Sequence, residues 1–142
     1  MHDLVVKGGH VIDPSQEINE PMNVTISNGK IVDLQSGKSM AGAKCVIDAS
    51  GMFVSPGFID IHVHCCHNIA HIGIDPESIC LANGSTTVLD VGSTGELNFT
   101  GFRKYVIDKC KTRIFALLNI ESLGMIEFAR EQEWPELIME YE

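Results

Sequence analysis

The six residues from His62 to His67, HVHCCH, hold three imidazoles and two thiols directly behind the strand-like stretch FIDI. Imidazole and thiolate are both ligands for borderline divalent ions such as Zn2+. Side chains alternate along a strand, so His62 and His64 share a face and present their rings side by side. A pair of surface or hydrogen-bonded histidines fits the same spacing, and the His-x-His pair alone leaves both readings open. A rival is a self-contained His/Cys site completed by Cys65, Cys66 and His67. Alternation sends Cys65 to the far face, and adjacent cysteines chelate one ion only with strain, so the spacing habits of structural zinc sites weigh against it. Asp60 either orients a ligand histidine or bonds backbone at the strand start. His67 and His71 read as loop histidines beyond the strand, near the mouth of any site there.

The chain around these residues changes character near residue 55. Before it, short strand-like pieces alternate with turn signals. LVVKGGHVID gives two strand pieces around Gly8 and Gly9, and MNVTISNGKIVDLQ predicts a hairpin about Asn28-Gly29. KCVIDASGMFVSPG adds a further strand and an extended piece ending at Pro56. Residues 1–55 therefore predict a small antiparallel β unit. From 56 to 142 the period alternates: strands at 57–63, 86–91 and 113–120, with helices over DPESICLANGS, NFTGFRKYVIDKCK, GMIEFAREQ and EWPELIMEYE. Strands rich in Val, Ile and Leu, separated by helices, predict βαβ units around a parallel sheet covered on both faces. Asp75 or Ser78 is expected to cap the first helix and Gly84 to stop it; Asn98 or Thr100 should cap the second. His62 and His64 then fall at the C-terminal end of the first parallel strand, where α/β folds bind ligands.

Composition narrows the partners. The chain has 142 residues and a formal charge of −9, which disfavours nucleic acid and anionic membrane surfaces. The N-terminus MHDLVVKGG lacks the pattern of a signal peptide, and the run IFALL is too short to span a bilayer. Five cysteines form an odd set without framework spacing, as expected of reduced thiols in a cytoplasmic protein. Cys45, Cys80 and Cys110 read as small core residues.

VSPGFIDIHVH at 54–64, preceded by LVVKGGHVIDP at 4–14 and NVTISNGKIVDL at 23–34, resembles the amidohydrolase superfamily of metal-dependent hydrolases. GSTTVLDVGSTGELNFTGFRKYVI and KTRIFALLNIESLGM are similar to its amidohydrolase/deacetylase-like branch, related to dihydroorotases and D-aminoacylases. The resemblance implies a β-sandwich portion over 1–55, then the first three βα units of a TIM (β/α)8 barrel over 56–142. It implies that His62 and His64 bind a divalent metal, zinc foremost, within a centre of one or two ions. The implied reaction is hydrolysis of the amide C–N bond of a small molecule, with metal-activated water attacking the carbonyl.

A barrel of this kind takes about 250 residues. The family's bridging lysine, two later histidines and an aspartate general base have no counterparts here: no histidine follows His71, and no lysine sits on a strand beyond the third. The sequence therefore reads as an N-terminal fragment, with the catalytic residues expected beyond 142 and little activity alone. Alternatives are a non-catalytic module that pairs through an exposed sheet edge, as a homo-oligomer or with a complementing C-terminal chain, and a small His/Cys metal-binding module. Ile114, Ala116 and Leu118 would lie next to that edge.

Overall fold

Gly8 and Gly9 interrupt the first apolar run without ending it. One strand, β1 (His2–Asp13), carries both halves, with a bulge between Val6 and Gly9. The bulge frees the Gly8 N–H from the ladder, and the buried side chain of Asn23 takes it up at 2.9 Å, as a buried donor requires. β2 (Ile18–Ser27) returns antiparallel to β1, and β3 (Lys30–Gln35) returns on β2. The turn between them sets Asn28 at φ 52° and Gly29 at φ 71°, the double positive φ that a tight hairpin needs.

The computed structural model describes residues 1–37, 42–69 and 72–125. The chain divides between Pro56 and Gly57 into two units. In the first, β4 (Ala43–Asp48) and the two-residue β5 (Phe53–Val54) both pair with β1 in parallel. The sheet order is β3-β2-β1-β4, with β5 also on β1. The expected antiparallel unit is thus a single mixed sheet. After β3 the chain returns to the other flank of β1, and arriving there from the same end makes β4 run with β1. Val5, Val11, Val24 and Ala49 form its buried centre.

The second unit holds β6 (Phe58–Val63), β7 (Ser85–Val91) and β8 (Arg113–Leu117), all parallel in the order β6-β7-β8. The expected strands are present, the first two within one residue of their predicted ends and the third stopping three residues short. Between β6 and β7, Ile79, Cys80 and Ala82 donate backbone N–H groups to Asp75, Pro76 and Glu77. The Leu81 N–H bonds back to Pro76 as well, so the predicted helix is an irregular pair of turns closing in a 3-10 segment at Leu81–Asn83. Gly84 ends it at φ 91°. Asp75 Oδ1 accepts the Glu77 N–H at 3.0 Å, the predicted capping role. Between β7 and β8 lie α1 (Phe99–Tyr105) and a 3-10 turn at Ile107–Lys109. Asn98 does not cap α1 with its side chain; its Oδ1 accepts the Gly95 N–H and its Nδ2 donates to Leu123 O. The helices predicted after β8 lie almost entirely outside the described residues.

Val63, Val88 and Ile114, one from each strand, meet Phe102 and Val106 from the α1 side and Cys65, Cys66 and Cys80 from the loops. Phe102 is wholly buried, a burial that contributes about 1.5–3 kcal/mol. The opposite side of the sheet is open among the described residues: Ile59, Ile61, Phe115 and Leu117 are all exposed. The apolar strands therefore have one covered face here, not two. At β8, Ile114 is buried and Ala116 half-buried, while Leu118 is exposed. No helix among the described residues is long and apolar enough to cross a membrane.

Candidate metal centre

β6 does not reach His62 as a regular strand. Asp60 pairs with Val88 and Val63 with Asp90, so three steps on β6 match two on β7. The surplus residue makes a bulge across Ile61 and His62, a device that re-aims side chains at sheet ends. Val63 is buried on the covered face, which sends its neighbours His62 and His64 toward the open one. Their rings stand together, with centroids 5.6 Å apart and planes at 83°. His62 is exposed and His64 half-buried.

Beneath His64 lies a carboxylate buried in the sheet. Asp90 is 0% exposed. Its Oδ2 accepts the Cys65 N–H at 2.8 Å and the Ser93 hydroxyl at 2.7 Å, and its Oδ1 accepts the Ser93 N–H at 2.8 Å. Ser93 Oγ in turn lies 3.1 Å from His64 Nδ1. The loop carrying Ser93 is held from its other side: its carbonyl accepts the Met125 N–H, Thr94 O accepts the Asn119 N–H, and Asn119 Nδ2 donates to Gly92 O. Asp90 lies near the end of β7, and Ser93 and Thr94 follow it; residue type and spacing alone assign none of them a role. A signal was there: an aspartate inside VLDV must be buried, and a buried carboxylate needs several donors.

The remaining candidates fall away from the histidine pair. Asp60 Oδ1 accepts the His62 backbone N–H at 3.1 Å, so it shapes the strand and not the ring. Cys65 and Cys66 are fully buried. Burial pushes the Cys65 thiol far above its ordinary range, and the Asp90 charge pushes it further. Burial likewise raises Cys80 and Cys110. Cys80 is the core residue expected, Cys110 is half-buried, and Cys45 is exposed on β4, contrary to expectation. Asn119 Oδ1 accepts the Glu121 N–H and Ser122 O accepts the Leu97 N–H, which are loop-building roles. His67 is exposed and borders a separate cavity of about 410 Å³ with Asp75, Tyr105 and Cys110. His71 lies outside the described residues.

The donor chemistry fits a divalent ion: two adjacent imidazoles, one of them hydrogen-bonded through Nδ1 with Nε2 left over. The set is incomplete among the described residues, where no three His, Cys, Asp or Glu side chains converge to hold a metal. The compact His/Cys arrangement is therefore not formed among them.

No family model matches the chain. A deacetylase of Agrobacterium fabrum is 42% identical over 106 residues, covering 75% of this chain and 26% of the relative. A dihydroorotase of Citrifermentans bemidjiense is 35% identical over 132 residues, covering 87% and 30% respectively. Among solved structures, a dihydroorotase superposes with a TM-score of 0.76 at 33% identity, over 89% of this chain and 33% of that one. A D-aminoacylase, described for its binuclear metal centre, superposes with a TM-score of 0.52 at 30% identity, over 63% and 18%. The chain thus spans 26–30% of the length of these curated relatives.

Proposed function

The chain belongs to the amidohydrolase superfamily, matching the N-terminal part of its members, and from that premise we propose that it supplies two metal ligands to a hydrolase of amide C–N bonds. His62 and His64 are those ligands, and the substrate is a small amide, cyclic or acyl. The first unit is the opening part of a β-sandwich. β6, β7 and β8 are the first three strands of a (β/α)8 barrel, whose interior is the open face that the two imidazoles share with Phe115 and Leu117. The observation that carries this reading is the pairing of the His62 and His64 rings at 5.6 Å, at the C-terminal end of a parallel strand.

A divalent metal, zinc foremost, supplies Lewis acidity to a substrate carbonyl and lowers the pKa of bound water. The chain's own residues bind and orient it: His62 from the exposed rim, His64 from a ring braced by Ser93. Two imidazoles fill half of a tetrahedral shell. These 142 residues by themselves should bind zinc weakly and turn over amides negligibly. The test is zinc content and acyl-amide hydrolysis of the purified chain, beside His62→Ala/His64→Ala. Zinc retained at equal stoichiometry by the double variant would remove the assignment. A second reading, association through the sheet, is favoured by exposed Phe58, Ile59, Ile61, Phe115 and Leu117. Sedimentation that stays monomeric at high concentration would count against self-association.

A further inference from the structure

We propose that Asp90 and Ser93 are positioning residues that fix His64 in its Nδ1–H tautomer, so that Nε2 carries the free lone pair. The inference deepens the metal-centre reading and rests on it for its purpose, though not for its test.

The protons along the chain Asp90–Ser93–His64 can be placed one by one. Each Asp90 oxygen already accepts a backbone N–H: Oδ2 from Cys65 and Oδ1 from Ser93, both at 2.8 Å. Oδ2 also receives the Ser93 hydroxyl at 2.7 Å. A carboxylate with three donors around it acts as an acceptor only, so the single hydroxyl proton of Ser93 is spent on Asp90. Ser93 Oγ then has only lone pairs to offer His64 Nδ1, 3.1 Å away. Nδ1 must be the donor, and in a neutral imidazole Nε2 is then the bare nitrogen. The reverse chain would need a proton on Asp90 donated to Ser93 and a hydroxyl donated to His64, leaving Nε2 protonated and useless to a metal.

Asp90 restrains the backbone as well as the ring. The N–H it holds from Cys65 belongs to the peptide immediately after His64, so one buried carboxylate sets both where His64 leaves the strand and which way its ring is protonated. His62 has no such bracing. Among the described residues its ring makes the edge contact with His64 and no hydrogen bond. The two ligands thus differ: one is pre-set, the other is free to settle on the ion. Partners of this kind raise metal affinity by about 10–100-fold where they have been removed and compared.

The test is nitrogen-15 NMR of the imidazoles in the metal-free chain, at a pH where both rings are neutral. The expected result is a protonated Nδ1 and bare Nε2 for His64, with His62 averaging between tautomers. In Ser93→Ala the His64 signals should average as well, while those of His62 stay unchanged. Adding zinc should then shift His64 Nε2 and leave its Nδ1 proton in place, with affinity about tenfold or more lower in Ser93→Ala. An Nε2–H tautomer for His64 in the unsubstituted chain overturns the proposal, whether or not zinc binds. The correct tautomer in a chain that ignores zinc would instead overturn the metal-centre reading and leave the bracing intact.

Discussion

Asp90 on β7 accepts the backbone N–H of Cys65 at 2.8 Å, so a carboxylate on one strand anchors the chain just past His64 on its neighbour. Replacing that carboxylate removes more than a charge. Asp90→Ala strands the Cys65 and Ser93 N–H groups in a site closed to water, and each orphaned donor costs about 1–3 kcal/mol. Asp108, an exposed aspartate, serves as the control, with an expected change within about 0.5 kcal/mol. Urea midpoints of the two alanine variants should differ sharply, and equal midpoints would show that the buried carboxylate does not brace the sheet.

Two glycines should fail for different reasons. A Cβ on Gly29 meets nothing within 4 Å, so Gly29→Ala carries only the cost of φ 71°, about 1 kcal/mol. At Gly95 a Cβ would collide with the Glu121 carbonyl oxygen and lie 2.6 Å from the Ser122 carbonyl carbon. Those atoms are backbone, so Gly95→Ala must part the loops after β7 and β8, at about 1–3 kcal/mol. It should also disturb the Ser93 segment two residues away. Thermal melts and the His64 NMR signals separate the cases: Gly29→Ala lowers stability alone, Gly95→Ala changes both. Unaltered His64 signals in Gly95→Ala would mean the loop packing does not position Ser93.

The thiols should divide by burial. Cys45 is exposed, while Cys65, Cys66 and Cys80 are buried. Burial raises the Cys65 thiol and the Asp90 charge raises it further. A raised pKa means less thiolate at any given pH, so mild alkalinity should not make Cys65 reactive in the folded chain. Ellman's reagent near pH 8 should titrate Cys45 quickly and the three buried thiols only in denaturant. Rapid labelling of Cys65 in the folded chain would place it at an open site and revive a thiolate ligand.

What the sequence made legible was local. The Asn28-Gly29 hairpin, the parallel strands and the Gly84 stop each follow from neighbours in the chain, because turn chemistry and side-chain period act over a few residues. The parallel pairing of β4 with β1 was not legible, since strand direction depends on which flank of β1 the chain returns to. Exposure of Cys45 follows from that same placement. At the site, the His62–His64 adjacency is a two-residue spacing and could be read directly. The hydrogen bond between His64 and Ser93 joins residues 29 apart, and only the β6–β7 register brings them together. Asp90 stood in an apolar strand as a visible anomaly, but its partners are fixed by that register too.

The proposed metal centre stands or falls on whether His62 and His64 ligate a divalent ion through their ring nitrogens. Zinc-edge X-ray absorption of the zinc-loaded chain reads that ligation from the atoms around the ion. Imidazole nitrogen scatterers are expected at about 2.0–2.1 Å, lost in His62→Ala/His64→Ala, with no sulfur at about 2.3 Å. A sulfur shell, or a spectrum indifferent to the double substitution, would contradict that ligation.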